Sequence, residues 1–540
     1  MARKRGEPSR SVDVEATPAT VAEVDIRPPR RSSVGWLAAV CLMAVVGAAW
    51  WGSGTLVRRA QSSRLPAVDL SMLPPAARAQ VEEAQQAARE APRSAEAVGA
   101  LGVAYHASLM TAEARAAYAE AEAIDPSAWM WTYYRGILHE ERGEQEAALD
   151  AFRRVAIANP SLGTAWFRMG ELLFKDGRLE EAAEAYTRAA EAAPQSPYQP
   201  PGVATREVVE LAAYARLGLA RVALDRRDVD SARRAIQAVL DAHPGFGPAW
   251  NLRAQLAVQT GEDAAAAPPT AGAYVPPPDP LLDRVVASSR MRDLLLKHAA
   301  VAGRGGDQAW REFLVRRALD ANPADPNVLM ETAMMLLDSG RATEALDYLR
   351  RREQLIPGDT LTLVELGRCL SIIGRLDEAE AVLRQAVRVR DAAAEYNLGA
   401  VLDRTGRGDE ARARYEQALA IDPFHARAMI NLGVWHDRRG QLDVAIGLLQ
   451  RAVRVAPDLA DAHLNLGSAL IAGRRLPDAL AALRTAVALA PQSPEAHNNL
   501  GIALAQSGRM AEAVRAWETA LTINPAHLNA RRNLERARGR

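Results

Sequence analysis

The chain has 540 residues, with 66 lysines and arginines against 66 aspartates and glutamates, so its formal net charge is zero. That balance offers no broad positive field for nucleic acid and sets that class of partner aside. The 2 cysteines, Cys41 in an apolar run and Cys369 far downstream, are not expected to pair and leave the redox compartment open.

Residues 1–33 are rich in proline, serine and charge and read as a disordered tail. Val34 to Trp51 is an uncharged run of 18 residues, and uncharged residues continue to Val57; this is long enough to span a bilayer. Trp36, Trp50 and Trp51 at its ends suit the interfacial zones. Residues 34–57 are therefore expected to form a single transmembrane helix. A cleaved signal peptide ending at Gly47-Ala48-Ala49 is the alternative, but the polar leader is long for one. Arg27, Arg30 and Arg31 balance Arg58, Arg59 and Arg64, while Arg3, Lys4, Arg5 and Arg10 tilt towards a cytoplasmic N-terminus. This orientation implies an inner-membrane protein whose remaining chain is periplasmic or otherwise extracytoplasmic. Residues 58–94 read as a linker and a leading helix.

The remainder is periodic. Leu398-Gly399, Leu432-Gly433, Leu466-Gly467 and Leu500-Gly501 recur every 34 residues, a period that marks a repeat architecture. An alanine follows each glycine by twelve positions (Ala411, Ala445, Ala479, Ala513), and a second alanine comes seven later (Ala418, Ala452, Ala486, Ala520). A proline closes each unit at Pro423, Pro457, Pro491 and Pro525, where it must end a helix. Small residues at these places let two antiparallel helices, A and B, approach closely, with Tyr415, Leu449, Leu483 and Trp517 filling the layer between helices. Gly406, Gly440 and Gly508 fall where helix A turns into helix B and favour a left-handed cap. Units begin at 95, 129, 163, 213, 326, 360, 392, 426, 460 and 494, with weaker ones near 247 and 292 and a polar capping helix after 528.

With these fixed positions the chain resembles the tetratricopeptide repeat (TPR) family, in its membrane-anchored bacterial type with one N-terminal transmembrane helix. The resemblance implies an all-α fold, an α-solenoid in which helix-turn-helix hairpins wind into a right-handed superhelix. One hairpin cannot bury its apolar face alone, so stability accrues between neighbours. Two interruptions divide the array. Pro194 to Gly202 opens an insertion, and the proline-rich stretch 264–280 reads as an extended linker. The expected organisation is an N-terminal array at 95–263, the linker, and a C-terminal array with its cap at 281–540.

No catalytic signature is present: no phosphate-binding glycine loop, no His-Glu-x-x-His, no Cys-x-x-Cys-His and no Gly-x-Ser-x-Gly. No enzyme activity, cofactor, metal or small-molecule substrate is therefore expected. His463 and His497 occupy equivalent places, where the family often carries tryptophan, and read as packing residues. Function then falls on the concave face, which the resemblance lines with helices A. There Asn397, Asn431, Asn465, Asn499 and Asn533 stand 34 apart. Their place resembles the asparagine ladder that grips peptide backbone in repeat-containing glycosyltransferases. An amide both donates and accepts, so it can hold a main chain with little regard to sequence. A local polar contact within the fold is the competing role. The equivalent places earlier in the chain hold Glu331, Glu365, Ala100, Tyr134 and Arg168. Tyr133, Tyr134, Phe167 and Phe174 are predicted to share the N-terminal array's concave side. The lysine and asparagine of the dicarboxylate clamp are missing, with Tyr396 and Ala400, or Ile430 and Val434, at those offsets, so chaperone C-termini are not expected ligands. These features point to a membrane-tethered scaffold binding protein partners in an envelope complex. The alternatives are a periplasmic assembly chaperone, as in cytochrome maturation, or a non-catalytic subunit of an enzyme complex.

Overall fold

The computed structural model describes residues 68–539 except 193, 195, 207 and 262–275. The expected tail 1–33, the transmembrane segment 34–57 and most of the stretch 264–280 lie outside the described residues. Among the described residues every regular element is a helix, and none is long and apolar enough to cross a membrane.

A leading helix α1 (Pro75–Glu90) precedes three hairpins: α2 (Ala95–Ala107) with α3 (Thr111–Ile124), α4 (Trp129–Glu141) with α5 (Gln145–Ala158), and α6 (Gly163–Lys175) with α7 (Leu179–Glu191). After the insertion come α8 (Leu211–Asp225) with α9 (Val229–Ala242), the single helix α10 (Gly247–Thr260) and the short α11 (Pro280–Ser288). Then follow α12 (Arg292–Arg304) with α13 (Gln308–Ala321), α14 (Pro326–Asp338) with α15 (Ala342–Leu355), and α16 (Thr360–Ile372) with α17 (Leu376–Ala386). The regular repeats are α18 (Ala392–Arg404) with α19 (Gly408–Ile421), α20 (Ala426–Arg438) with α21 (Leu442–Val455), α22 (Ala460–Ala472) with α23 (Leu476–Leu489), and α24 (Pro494–Gln506) with α25 (Met510–Ile523). The last helix is α26 (Leu528–Arg538).

The small residues act by size. A Cβ on Gly399 would lie 2.6 Å from the Tyr415 ring, and one on Gly467 would lie 2.5 Å from Leu483 Cγ. Hairpin partners can pack this closely only because that atom is absent. The paired alanines, such as Ala411 with Ala418 and Ala445 with Ala452, are fully buried. Helix A ends in a left-handed residue at Gly406, Gly440 and Gly508, with φ of +80°, +74° and +80°. Three non-glycine residues take the same place in other repeats: Leu109, Arg227 and Arg474, with φ of +62°, +60° and +56°. Asp391, standing where other repeats have proline, caps α18 by accepting from Ala394 N.

Successive helices A touch one another more closely than successive helices B do, so helices A form an inner wall. The apolar core is continuous from Val81 to Val285, and a second core begins at Val286. Helix α11 serves both: Leu281 and Val285 enter the first core, Val286 and Ala287 the second.

Candidate peptide-binding walls

The inner wall presents two different surfaces. Along the C-terminal repeats all five ladder asparagines are half-buried, but their amides are not used alike. Asn431 Nδ2 donates to the Tyr415 hydroxyl of the preceding helix B at 3.1 Å. Asn465 Nδ2 turns back to Asp461 O at 2.8 Å within its own helix. Asn533 Nδ2 donates to Asn498 Oδ1 at 3.0 Å, and Asn498 Nδ2 donates to Asn499 Oδ1 at 3.0 Å. Asn397 makes no side-chain hydrogen bond among the described residues. The ladder is thus a mixture of tethered and spare amides. Asn498 is a member that the 34-residue count passes over, since it sits one position before the ladder. Half-buried Leu464, Ile471, Ile502 and Ala505 lie on the same helices A and pack against the core there. Further back the ladder position is consumed by charge, with Glu331 paired to Arg311 at 3.0 Å and Glu365 to Arg368 at 2.7 Å.

The histidines have a structural explanation. His463 Nε2 lies 2.9 Å from Pro457 O, and His497 Nε2 lies 3.0 Å from Pro491 O. Trp166 and Trp250 donate Nε1–H in the same way, to Pro160 O at 3.0 Å and Pro244 O at 2.8 Å. Histidine replaces tryptophan here because it keeps a ring N–H for the carbonyl that the proline turn leaves unpaired. Among the described residues no group of three or more histidine, cysteine, aspartate or glutamate side chains could hold a metal ion.

The N-terminal wall is built differently, because the chain's own segment 279–289 lies against it. Tyr133, fully buried, donates its hydroxyl to Asp279 Oδ2 at 2.7 Å. Arg168 adds bonds to the same oxygen at 2.7 and 3.1 Å and a further one to Glu140 at 2.6 Å. Tyr134 donates to Leu281 O at 3.3 Å. Nearer the chain's start, Gln80 donates to Ser288 O at 2.9 Å, and Ser289 Oγ donates to Ala107 O at 2.6 Å. Burial pushes the Tyr133 and Tyr134 hydroxyls above their ordinary range, which keeps both as donors. Of the four aromatic residues expected to share this side, Tyr133 and Tyr134 hold the segment. Phe167 packs on Tyr186 with ring centroids 5.9 Å apart, and Phe174 lies under the Arg221 guanidinium at 4.3 Å.

Beyond the segment the wall opens into a cavity of about 1010 Å³, lined by Phe167, Tyr214, Leu252, Leu282 and His298 among others. Its guanidiniums are already matched: Arg168 to Asp279, Arg221 to Glu171, and Arg206 to both Asp283 and Asp307. Arg206 lies in the insertion between α7 and α8 and stacks over Trp310 at 4.4 Å, so the insertion straps α13 to the N-terminal repeats. Nothing in the periodicity announces that strap, because its partners lie 77 and 101 residues away.

Stacked hairpins with an inner wall of helices A define the class: an α-solenoid that offers an extended surface to other chains. Tetratricopeptide repeat models match residues 110–163, 149–197, 217–280, 298–360, 431–494 and 464–527, with further matches at 390–458 and 362–392. These cover more than half of the chain, which belongs to the tetratricopeptide repeat family. It is similar to a small glutamine-rich tetratricopeptide repeat-containing protein 2 of Mycosarcoma maydis, 30% identical over 88 residues. That match covers 16% of this chain and spans only 25% of the relative's length. Among solved structures it is similar to a chain of the APC/C hetero-tetramer Cut9-Hcn1, at 14% identity and a TM-score of 0.41, over 80% of this chain and 94% of that one. It is also similar to PilW, a type IV pilus biogenesis factor, at 19% identity and a TM-score of 0.35, over 39% of this chain and 98% of that one.

Proposed function

We propose that this protein is a non-catalytic adaptor, tethered to a membrane by residues 34–57, that holds extended segments of partner proteins on the inner wall of its C-terminal repeats. As a member of its family it is a scaffold for protein–protein interaction. The observation that carries this reading is the row of half-buried amides Asn397, Asn431, Asn465, Asn499 and Asn533 beside half-buried apolar side chains. Amides at a repeat spacing can bond successive backbone groups of an extended chain, while apolar neighbours accept alternate side chains. The uncharged run at 34–57 supports the tether.

The test is a triple substitution of Asn431, Asn465 and Asn499 to alanine, assayed by crosslinking in native membranes. Helix propensity favours alanine by about 0.7 kcal/mol at each position. Losing the Asn431–Tyr415, Asn465–Asp461 and Asn498–Asn499 bonds costs about 1 kcal/mol each in return. The melting temperature is therefore expected to move little, while the partner adduct disappears. A large fall in melting temperature would make the ladder a structural device. An unchanged adduct would remove the groove reading altogether.

A further inference from the structure

The N-terminal wall is held as a receptor holds a ligand. Its recognition of 279–289 runs largely through main-chain carbonyls and one carboxylate: Tyr134 on Leu281 O, Gln80 on Ser288 O, and Tyr133 with Arg168 on Asp279. Backbone recognition of this kind is how a groove captures a peptide, with side-chain pockets adding specificity. Asp279 also caps α11 by accepting from Leu282 N at 3.0 Å, and Pro280 occupies the first turn, so the carboxylate that is read is the one that starts the helix. Leu281 and Val285, 9% and 1% exposed, then enter the N-terminal core.

We propose that the wall formed by α1, α2, α4 and α6 is a ligand site occupied by its own chain. Its outside partner is a helical segment that opens on a capping aspartate and carries apolar residues two and six positions later. This rests on the reading that the repeats capture segments of other proteins, and it adds a regulation to that reading. A tethered segment competes at high effective concentration, so an outside partner sees only the fraction of molecules in which the wall is free. Because Val286 and Ala287 of the same helix pack into the second core, the segment can leave the N-terminal wall only by disturbing the packing of the following repeats. Binding at this wall is thereby coupled to the C-terminal array. The neighbouring cavity lined by Phe167, Tyr214 and Leu282 continues the wall and gives a longer partner room to extend.

The experiment titrates a fluorescent peptide spanning Pro276 to Met291 against the solubilised full chain. One protein is wild type; the other carries Leu281→Glu and Val285→Glu, which should free the wall. The freed chain should bind the peptide, and wild type should bind it at least about tenfold more weakly. A peptide carrying Asp279→Ala should lose its binding to the freed chain. Absence of binding to a freed chain that keeps wild-type helix content by circular dichroism would overturn the proposal. Equal binding of the Asp279→Ala peptide would overturn it too. Should the double variant lose helix content, the full chain with Asp279→Ala alone takes its place, and failure to bind the wild-type peptide there is equally decisive. Partner capture by the C-terminal asparagines is measured separately, so either reading can fail while the other stands.

Discussion

One set of hairpins makes two unlike walls. In the N-terminal repeats, position six of helix A carries Tyr134 and Arg168, and both are spent on the chain's own Asp279 and Leu281. In the C-terminal repeats the same position carries asparagine, half-buried and only partly bonded. The scaffold is shared, since in both arrays a glycine admits the large residue of helix B: Gly170 against Tyr186, Gly467 against Leu483. What differs is the chemistry displayed on the inner face. Bulky groups with fixed partners make a filled wall, and short amides with spare donors make an open one.

The sharpest way to break this comparison is to place one charge on each wall. Val285→Asp buries a carboxylate at a site 1% exposed and should cost about 3–5 kcal/mol. Ile502→Asp, on the half-buried open wall, should cost about 1 kcal/mol or less. Chemical denaturation of the two variants reads the difference directly, and similar costs would mean that the walls are not distinct.

Acid should find the filled side first. His106 and His298 are both held neutral by burial, with pKa values lowered to about 4, against 6.5 without that burial. Tyr118 is hydrogen-bonded to His106 Nδ1 at 3.4 Å, which suits a neutral ring accepting from the hydroxyl. Between pH 6.5 and 4 the unfolded chain binds more protons than the folded one. The stability these groups contribute is therefore intact above 6.5 and is lost as pH falls towards 4, by on the order of 2 kcal/mol each. Hydrogen exchange should show α2 and α12 loosening across that window before α22 to α25 do. His106→Gln should flatten the pH dependence.

How much of this could be read from the sequence follows from the range of each interaction. The hairpins were legible because the glycine, the alanines and the proline recur at 34 residues and act on neighbours. The left-handed turns at Gly406, Gly440 and Gly508 were legible for the same reason. The place of the asparagines within helix A could be read, but not their partners, because an amide's direction depends on neighbours such as Tyr415 and Asn498. The filling of the N-terminal wall could not be read, since Tyr133 meets Asp279 across 146 positions. The one local sign is Asp279-Pro280 at the end of the proline-rich stretch, a cap and first-turn pair that starts a helix.

A smaller effect sharpens the contrast in regularity between the arrays. Arg474 occupies with φ of +56° a turn that Gly406, Gly440 and Gly508 fill in the neighbouring repeats. Arg474→Gly should raise stability by about 1 kcal/mol or less, because a side chain in that conformation costs about 1–2 kcal/mol while glycine loses more chain entropy on folding. Arg227→Gly offers the same test in the N-terminal array. A loss of stability in both would mean that these side chains have contacts worth more than the strain.

The central claim, one wall occupied by its own chain and the other open, is tested most directly by thiol reactivity at a single repeat position. Cysteine is placed at Tyr134 or at Asn465, both the sixth residue of a helix A, in a full chain with Cys41→Ser and Cys369→Ser. Asn465→Cys should react with a maleimide at nearly the rate of an exposed thiol. Tyr134→Cys should react at least about a hundredfold more slowly, since labelling must wait for local opening. Equal rates at the two positions would contradict the account.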